Sequence, residues 1–307
     1  MRKVHFPARI AEGELGVVNK LVTGEDDGAL DEISVVVRRL EAGTTWTWQS
    51  GDNEGVFVVL GGVLSATAKN GAEHRFDAIG GRRDPFDGMP WALYVSRHTE
   101  VTLTVTSSVA EVALGFTVTD CDHPLRCVSP SDVAIEIRGG HGNTRQVNGI
   151  LPPGFACHRL VAVEVYTPGG NWSSYPPHKH DAHVEGPNGL VEADLEEIYL
   201  YKMRRRGGHA VQRVYTTNGS LDALALAHDG DIVTVPEGYH PVSAAYGYDC
   251  YYLNFLAGSA QSLAATDDPE HAWVKETWTA TDPRVPLVTH AMESKSTRER
   301  SDRGAKQ

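Results

Sequence analysis

Residues 171–203 read NWSSYPPHKHDAHVEGPNGLVEADLEEIYLYKM. His178 and His180 flank a single lysine, and Glu197 opens the alternating run Glu-Ile-Tyr-Leu-Tyr. Residues two apart on an extended strand share a face. The imidazoles of His178 and His180 therefore aim to one side, and Glu197, Tyr199 and Tyr201 to another common side. Two histidines and a carboxylate brought to one point form an N/O site for a divalent first-row ion.

A further ligand lies downstream. In GDIVTVPEGYH (residues 230–240) a strand runs into a Pro/Gly turn that ends on His240. Glu185 competes with Glu197 for the carboxylate position, because it follows the histidines more closely. It is followed by Gly-Pro-Asn-Gly, a loop signature. Glu197 heads a strand that can pin its carboxylate inward, so Glu197 is preferred. Glu196 is expected to face the opposite way, and His183 to sit solvated in the loop.

Charge and composition exclude several classes. Lys and Arg total 28 against 40 Asp and Glu, a formal charge of −12. Nucleic acid and anionic membrane surfaces are bound through clustered basic charge, which argues against both as partners. No apolar run approaches the length of a membrane span. The opening MRKVHFPARIAEGEL lacks the apolar core of a signal peptide. Cys121, Cys127, Cys157 and Cys250 show no CxxC pairing and read as small core residues of a cytosolic protein. The expected address is the cytoplasm.

Outward from the His/Glu stretch the text is strand after strand. TTWTW (residues 44–48), VFVVL (56–60), VLSATA (63–68), VTLTV (101–105) and VALGF (112–116) are short β-type runs broken by turn residues. HRLVAVEVY (158–166), VQRVY (211–215), IVTV (232–235) and CYYLNFL (250–256) continue the pattern in the second half. No sustained helical period appears, so helices should be short and few. RGGHGN (138–143) lacks the strand–loop–helix context of a phosphate cradle and reads as a plain turn. The polar residues 291–307 read as a disordered tail. A weak internal repeat sets Trp46-Thr-Trp48, then Glu54 and a strand, against His178-Lys-His180, then Glu197 and a strand. Tryptophan offers a metal no lone pair. The expectation is an all-β chain of two barrels: a metal-free one over 1–125 and a metal-binding one over 126–290.

H-x-H, then Glu, then P-x-G-x-H is similar to the ligand order of the cupin barrel, a double-stranded β-helix. GNWSSYPPHKHD, EEIYLYK, PEGYHPV, GYDCYYLNFLAG with HAWV, and the opening RKVHFPAR together resemble the 5-deoxy-glucuronate isomerase family of myo-inositol catabolism. The resemblance covers nearly the whole chain short of the tail. It implies a two-cupin fold and metal-dependent isomerisation of 5-deoxy-D-glucuronate to 5-dehydro-2-deoxy-D-gluconate. It also implies His178, His180, Glu197 and His240 as metal ligands. Imidazole and carboxylate suit Zn, Mn, Fe, Co and Ni alike. Tyr199 and Tyr201, on the face of Glu197, are the candidates for proton transfer. A uronate substrate needs a local cation in so acidic a chain, with Arg145 and Arg213 as candidates. By strand parity Lys179 and Lys202 should point away. Alternatives are the sister 4-deoxy-L-threo-5-hexosulose-uronate ketol-isomerase, a cupin dioxygenase, and a sugar-binding cupin without turnover. A homo-oligomer is compatible with all of these.

Overall fold

A computed structural model describes residues 2–9, 14–25 and 30–292. Nearly every regular element is a strand, and the described helices are short 3-10 turns and a final turn at residues 291–292. The strands build two barrels, each made of a larger and a smaller antiparallel sheet. In the N-terminal barrel the larger sheet runs Arg126–Val128, Trp91–Val95, Asn53–Gly61, Val109–Val118, Ser34–Glu41, Val17–Leu21. It faces Thr45–Gln49, Glu100–Val105, Val63–Lys69 and Glu73–Gly80. In the C-terminal barrel the larger sheet runs His5–Phe6, Ile232–Val235, Gly189–Met203, Cys250–Gly258, Val161–Thr167, Arg145–Leu151, Ala134–Arg138. It faces Trp172–Ser173, Val242–Ala244, Ala210–Tyr215 and Asp222–Ala227.

Alternation along the central strands sorts their side chains into separate cores. Phe57 and Val59 enter the N-terminal barrel with Trp46, Leu64 and Leu103. Tyr199 and Tyr201 enter the C-terminal barrel with Val214, Val242 and Tyr252. The residues between them, Val56, Val58 and Leu60 on one strand and Ile198 and Leu200 on the other, meet in a third core between the barrels. Strands buried on both faces read as continuous apolar runs rather than as alternation, which accounts for the unbroken VFVVL. Phe255 packs so closely on Gly115 that a Cβ there would lie 2.4 Å from its ring.

Polar groups lock the joint. Arg82 donates to Glu164 at 2.6 Å across the inter-barrel core, where both side chains are almost fully excluded from water. Arg82 also donates to the carbonyls of Val59 and Gly88, while Glu164 accepts from Tyr166 and Tyr251, so the buried pair is well satisfied. Glu54 accepts the backbone N–H groups of His158, Arg159 and Leu160, and Glu196 accepts those of Asp31 and Glu32. Each carboxylate thus caps a segment of the other half of the chain.

That pairing corrects the register of the internal repeat. Glu54 stands on the inter-barrel face, as Glu196 does, so its counterpart is Glu196 and not Glu197. Gly55 is the residue that matches Glu197. A Cβ on Gly55 would lie 2.8 Å from Cη2 of Trp48, whose ring fills the space a side chain there would need.

Two short strands cross the limit expected at 125/126. His5–Phe6 pairs with Ile232 and Val233 of the C-terminal sheet, and Arg126–Val128 pairs with Ala92–Tyr94 of the N-terminal sheet. Of the tail expected from 291, Met292 packs against the inter-barrel core. Residues 293–307 lie outside the described residues.

Candidate metal centre and active site

Glu197 lies on a central strand, between Val235 and Leu256 of its two neighbours, which fixes its carboxylate inside the C-terminal barrel. His178 and Lys179 form a short strand against Thr266 and Asp267. Parity sends the imidazoles of His178 and His180 inward, while Lys179 turns away to Asp181 and Glu192. The third histidine is delivered by the turn. Gly238 has φ +86°, and a Cβ there would lie 2.3 Å from the carbonyl oxygen of Tyr215, so the close approach requires glycine. Reciprocal backbone bonds between Tyr215 and Tyr239, at 2.8 and 2.9 Å, then hold His240 at the barrel axis.

The donors converge. Nε2 of His180 lies 3.0 Å and Nε2 of His240 lies 3.4 Å from Oε2 of Glu197. These three offer ligand atoms within 4.8 Å of one another, and the ring of His178 lies beside them, 4.7 Å from the ring of His240 and 6.3 Å from that of His180. Each imidazole has its other nitrogen engaged by a backbone carbonyl: Leu195 for His180 at 2.8 Å, Gly238 for His240 at 2.9 Å, and Pro176 for His178. Such anchors fix ring orientation and tautomer in metal-binding histidines. Nε2 of His240 is buried and has no hydrogen-bond partner. An unpartnered lone pair, buried beside a carboxylate and two further imidazoles, fits a divalent cation.

Electrostatics agree. Burial, then the neighbouring imidazoles, push His178 and His240 down to about 3, so both are neutral donors at physiological pH. Burial also works against the charged form of His180, but the hydrogen bond and charge of Glu197 outweigh it and its pKa is raised.

The remaining expected residues divide. Tyr199 faces the site: its hydroxyl lies 3.1 Å from Oγ of Ser174, and its ring lies 6.0 Å from that of His240. Burial, then the charge of Glu197, raises its pKa well above the usual phenol value. Tyr201 also faces inward, but it donates its hydroxyl to Gln212 at 2.8 Å, deeper in the core. Arg145 turns Nη1 towards Gly139, where it is buried without a partner, and its charge acts on His178, Tyr199 and Tyr252. Arg213 does not reach the site. Ala210, Gln212 and Val214 take the inward positions of that strand, and Arg213 lies outside, bonded to Asp222 at 2.8 and 2.9 Å. Glu185 is exposed on a hairpin, 3.3 Å from Nε2 of His183, and plays no part in the centre. Lys202 faces the N-terminal barrel and pairs with Glu111 at 2.7 Å.

Sequence reasoning missed Tyr252 and Ser173. Their hydroxyls bond to each other beside Tyr199, whose ring lies 4.8 Å from that of Tyr252. Burial pushes Tyr252 up to about 12, with Arg145 opposing. The inward parity of CYYLNF, which groups Tyr252 with Cys250 and Asn254, was the available signal.

Comparison with known proteins places this arrangement. The model of the KduI/IolB family matches residues 13–274. A 5-deoxy-glucuronate isomerase of Geobacillus kaustophilus is 38% identical over 277 residues, covering 90% of this chain and 96% of that protein. The crystal structure of an IolB-like protein from Salmonella typhimurium superposes with a TM-score of 0.81 at 34% identity, covering 89% of this chain and 99% of that one. Oxalate decarboxylase from Lactobacillus farciminis shares the fold alone, with a TM-score of 0.60 at 12% identity over 87% of this chain and 89% of that one.

Proposed function

The chain belongs to the KduI/IolB family, and from that premise we propose that it is an aldose–ketose isomerase of myo-inositol catabolism, converting 5-deoxy-D-glucuronate to 5-dehydro-2-deoxy-D-gluconate. His178, His180, Glu197 and His240 would hold one divalent ion inside the C-terminal barrel, a reading supported by the grouping of His180, Glu197 and His240 with the His178 ring beside them. The observation that carries this reading is the buried, unpartnered Nε2 of His240 beside the Glu197 carboxylate. A bound divalent ion supplies Lewis-acid polarisation of the substrate carbonyl.

The chain's own residues do the rest. The reaction moves a proton from C2 to C1 and a hydroxyl proton from O2 to O1. Glu197 is committed among the imidazoles, so the proton carrier must come from elsewhere on the inward face. Tyr199 is the candidate for the hydroxyl proton: burial keeps its phenol protonated, so it can donate to O1 as charge develops there and recover the proton released from O2 as the new carbonyl forms, with Ser174 orienting its hydroxyl. Tyr201, tied to Gln212, holds the wall behind it. Arg145 supplies the cation that a uronate requires in an acidic chain. The N-terminal barrel, with Trp48 packed beside Gly55, carries no metal and serves as the partner against which the active barrel is braced.

The test is conversion of 5-deoxy-D-glucuronate by the purified protein, followed by NMR in D₂O, with the sister substrate 4-deoxy-L-threo-5-hexosulose uronate in parallel. Ketose signals from the first substrate, abolished by chelation and restored by a divalent ion, are expected. Deuterium at the receiving carbon would support proton transfer over a direct hydride shift, and loss of activity in Tyr199→Phe would support Tyr199 as a participant. No conversion of the first substrate by the metal-loaded protein would overturn the assignment.

A further inference from the structure

The turn RGGHGN, which sequence alone gives no function, closes the hairpin between Ala134–Arg138 and Arg145–Leu151. Its two arginines stand opposite each other, where like charges repel. Arg138 resolves this outward by pairing with Glu136 at 2.7 Å. Arg145 turns inward, and the two glycines make room for what lies against them. A Cβ on Gly139 would lie 3.2 Å from Nη1 of Arg145, and one on Gly140 would lie 2.6 Å from Cγ and 3.0 Å from Cδ1 of Trp278. Nε1 of the indole is bonded to Cδ1, so each glycine carries one nitrogen donor beside it.

Both donors are buried without a partner. Six buried side-chain atoms among the described residues lack a hydrogen bond, and Arg145 Nη1 and Trp278 Nε1 are two of them. A buried donor left unpaired is destabilising, and more so when charged, so two beside one diglycine call for an acceptor. The segment bearing Trp278 is strapped to the turn. The His141 N–H donates to Ala280 at 2.8 Å, His141 Nε2 lies 2.9 Å from Thr279 Oγ1, and the Asp282 N–H donates to Thr144 Oγ1 at 2.9 Å. Asn171, at the head of the strand leading to His178, donates to both the Thr144 carbonyl and Asp282.

We propose that Arg145 Nη1 and Trp278 Nε1 together seat the carboxylate of the substrate, with Gly139–Gly140 as the floor. The inference rests on the isomerase reading above and names the residues that make that site select a uronate over a neutral sugar. A carboxylate has two acceptor oxygens, one for each donor, and its negative charge answers the guanidinium. It also lies at the far end of the carbon chain from the reacting pair. Its seat is therefore separate from the His/Glu centre, and the charge of Arg145 still reaches His178, Tyr199 and Tyr252.

The test uses the full chain labelled with ¹⁵N-tryptophan, which gives six indole signals, with Trp278 assigned by its loss in Trp278→Phe. D-Glucuronate is the probe and D-glucose the neutral control. The Trp278 indole signal should shift saturably with glucuronate and not with glucose, and the shift should vanish in Arg145→Gln. An indole unmoved by glucuronate, or moved equally by glucose, overturns the proposal. In kinetics, Trp278→Phe and Arg145→Lys should each raise KM for 5-deoxy-D-glucuronate by about tenfold, with metal content unchanged as the check on folding. An active parent whose KM is the same in both variants also overturns the seat. A parent inactive on 5-deoxy-D-glucuronate, with the indole shift intact, instead sinks the substrate reading and leaves the carboxylate seat standing.

Discussion

The two barrels share a plan and part company at one structurally matched pair of positions, Gly55 and Glu197, on their central strands. Where the C-terminal barrel carries Glu197, the N-terminal barrel carries Gly55, and where His180 meets that carboxylate at 3.0 Å, Trp48 closes over the glycine. The T-shaped contacts of Phe57 with Trp46 and Trp48, with centroids at 5.5 and 5.6 Å, continue the filling. One barrel interior is a packed aromatic core, and the other holds polar side chains aimed at a shared point. A carboxylate on the central strand leaves the C-terminal interior polar, whereas a glycine at the matching position lets a tryptophan ring fill the N-terminal one.

The comparison can be broken from the C-terminal side by acid. His178 and His240 are held near 3 in the folded chain, below the usual imidazole value of 6.5, so the unfolded chain binds more protons between those values. Their contribution to stability is therefore present above about pH 6.5 and lost as pH falls towards 3. For metal-stripped protein we expect stability to fall by about 2 kcal/mol per pH unit in that window, measured by urea unfolding. A flat profile between pH 6.5 and 4 would contradict the burial of neutral imidazoles.

The joint between the barrels is the next target. Arg82→Met leaves Glu164 buried and uncompensated, and should cost about 3–5 kcal/mol. Unfolding midpoints of the variant and parent measure this, and a loss under about 1 kcal/mol would mean that the pair is dispensable. A smaller effect sharpens the contrast within the N-terminal barrel. Gly55→Ala drives a methyl against Trp48 and should cost about 1–3 kcal/mol through overpacking, with activity unchanged. A neutral or stabilising outcome would show that the space is not filled as described. Smallest of all, Arg213→Gln should change kcat/KM by less than about twofold and stability by under about 1 kcal/mol, because its ion pair with Asp222 is exposed. A large rise in KM would return Arg213 to the substrate site.

Much of the centre was legible because it obeys a period of two. His178 and His180 share a face across one residue, Glu197 shares one with Tyr199, and the Pro/Gly turn announces His240. Parity is silent on which face is inward, and there the reading failed. In VQRVY both faces carry apolar residues, so the outward position of Arg213 had no sequence signature. The same ambiguity misaligned the repeat: Glu54-Gly55 and Glu196-Glu197 offer three carboxylates for two roles, and only the capping of His158–Leu160 and of Asp31–Glu32 separates them. Arg145 and Trp278 reach neighbouring glycines from opposite ends of a long stretch of chain, which no local pattern encodes. The crossing of His5–Phe6 into the C-terminal sheet was hidden for the same reason.

The central claim is that one barrel holds a metal and the other does not. Metal content per chain, measured by mass spectrometry after dialysis against a divalent ion, tests it most directly in the parent and in His240→Ala. One equivalent is expected in the parent and close to none in the variant, with the β-sheet circular dichroism of both alike. Two equivalents in the parent, or an undiminished one in His240→Ala, would contradict it.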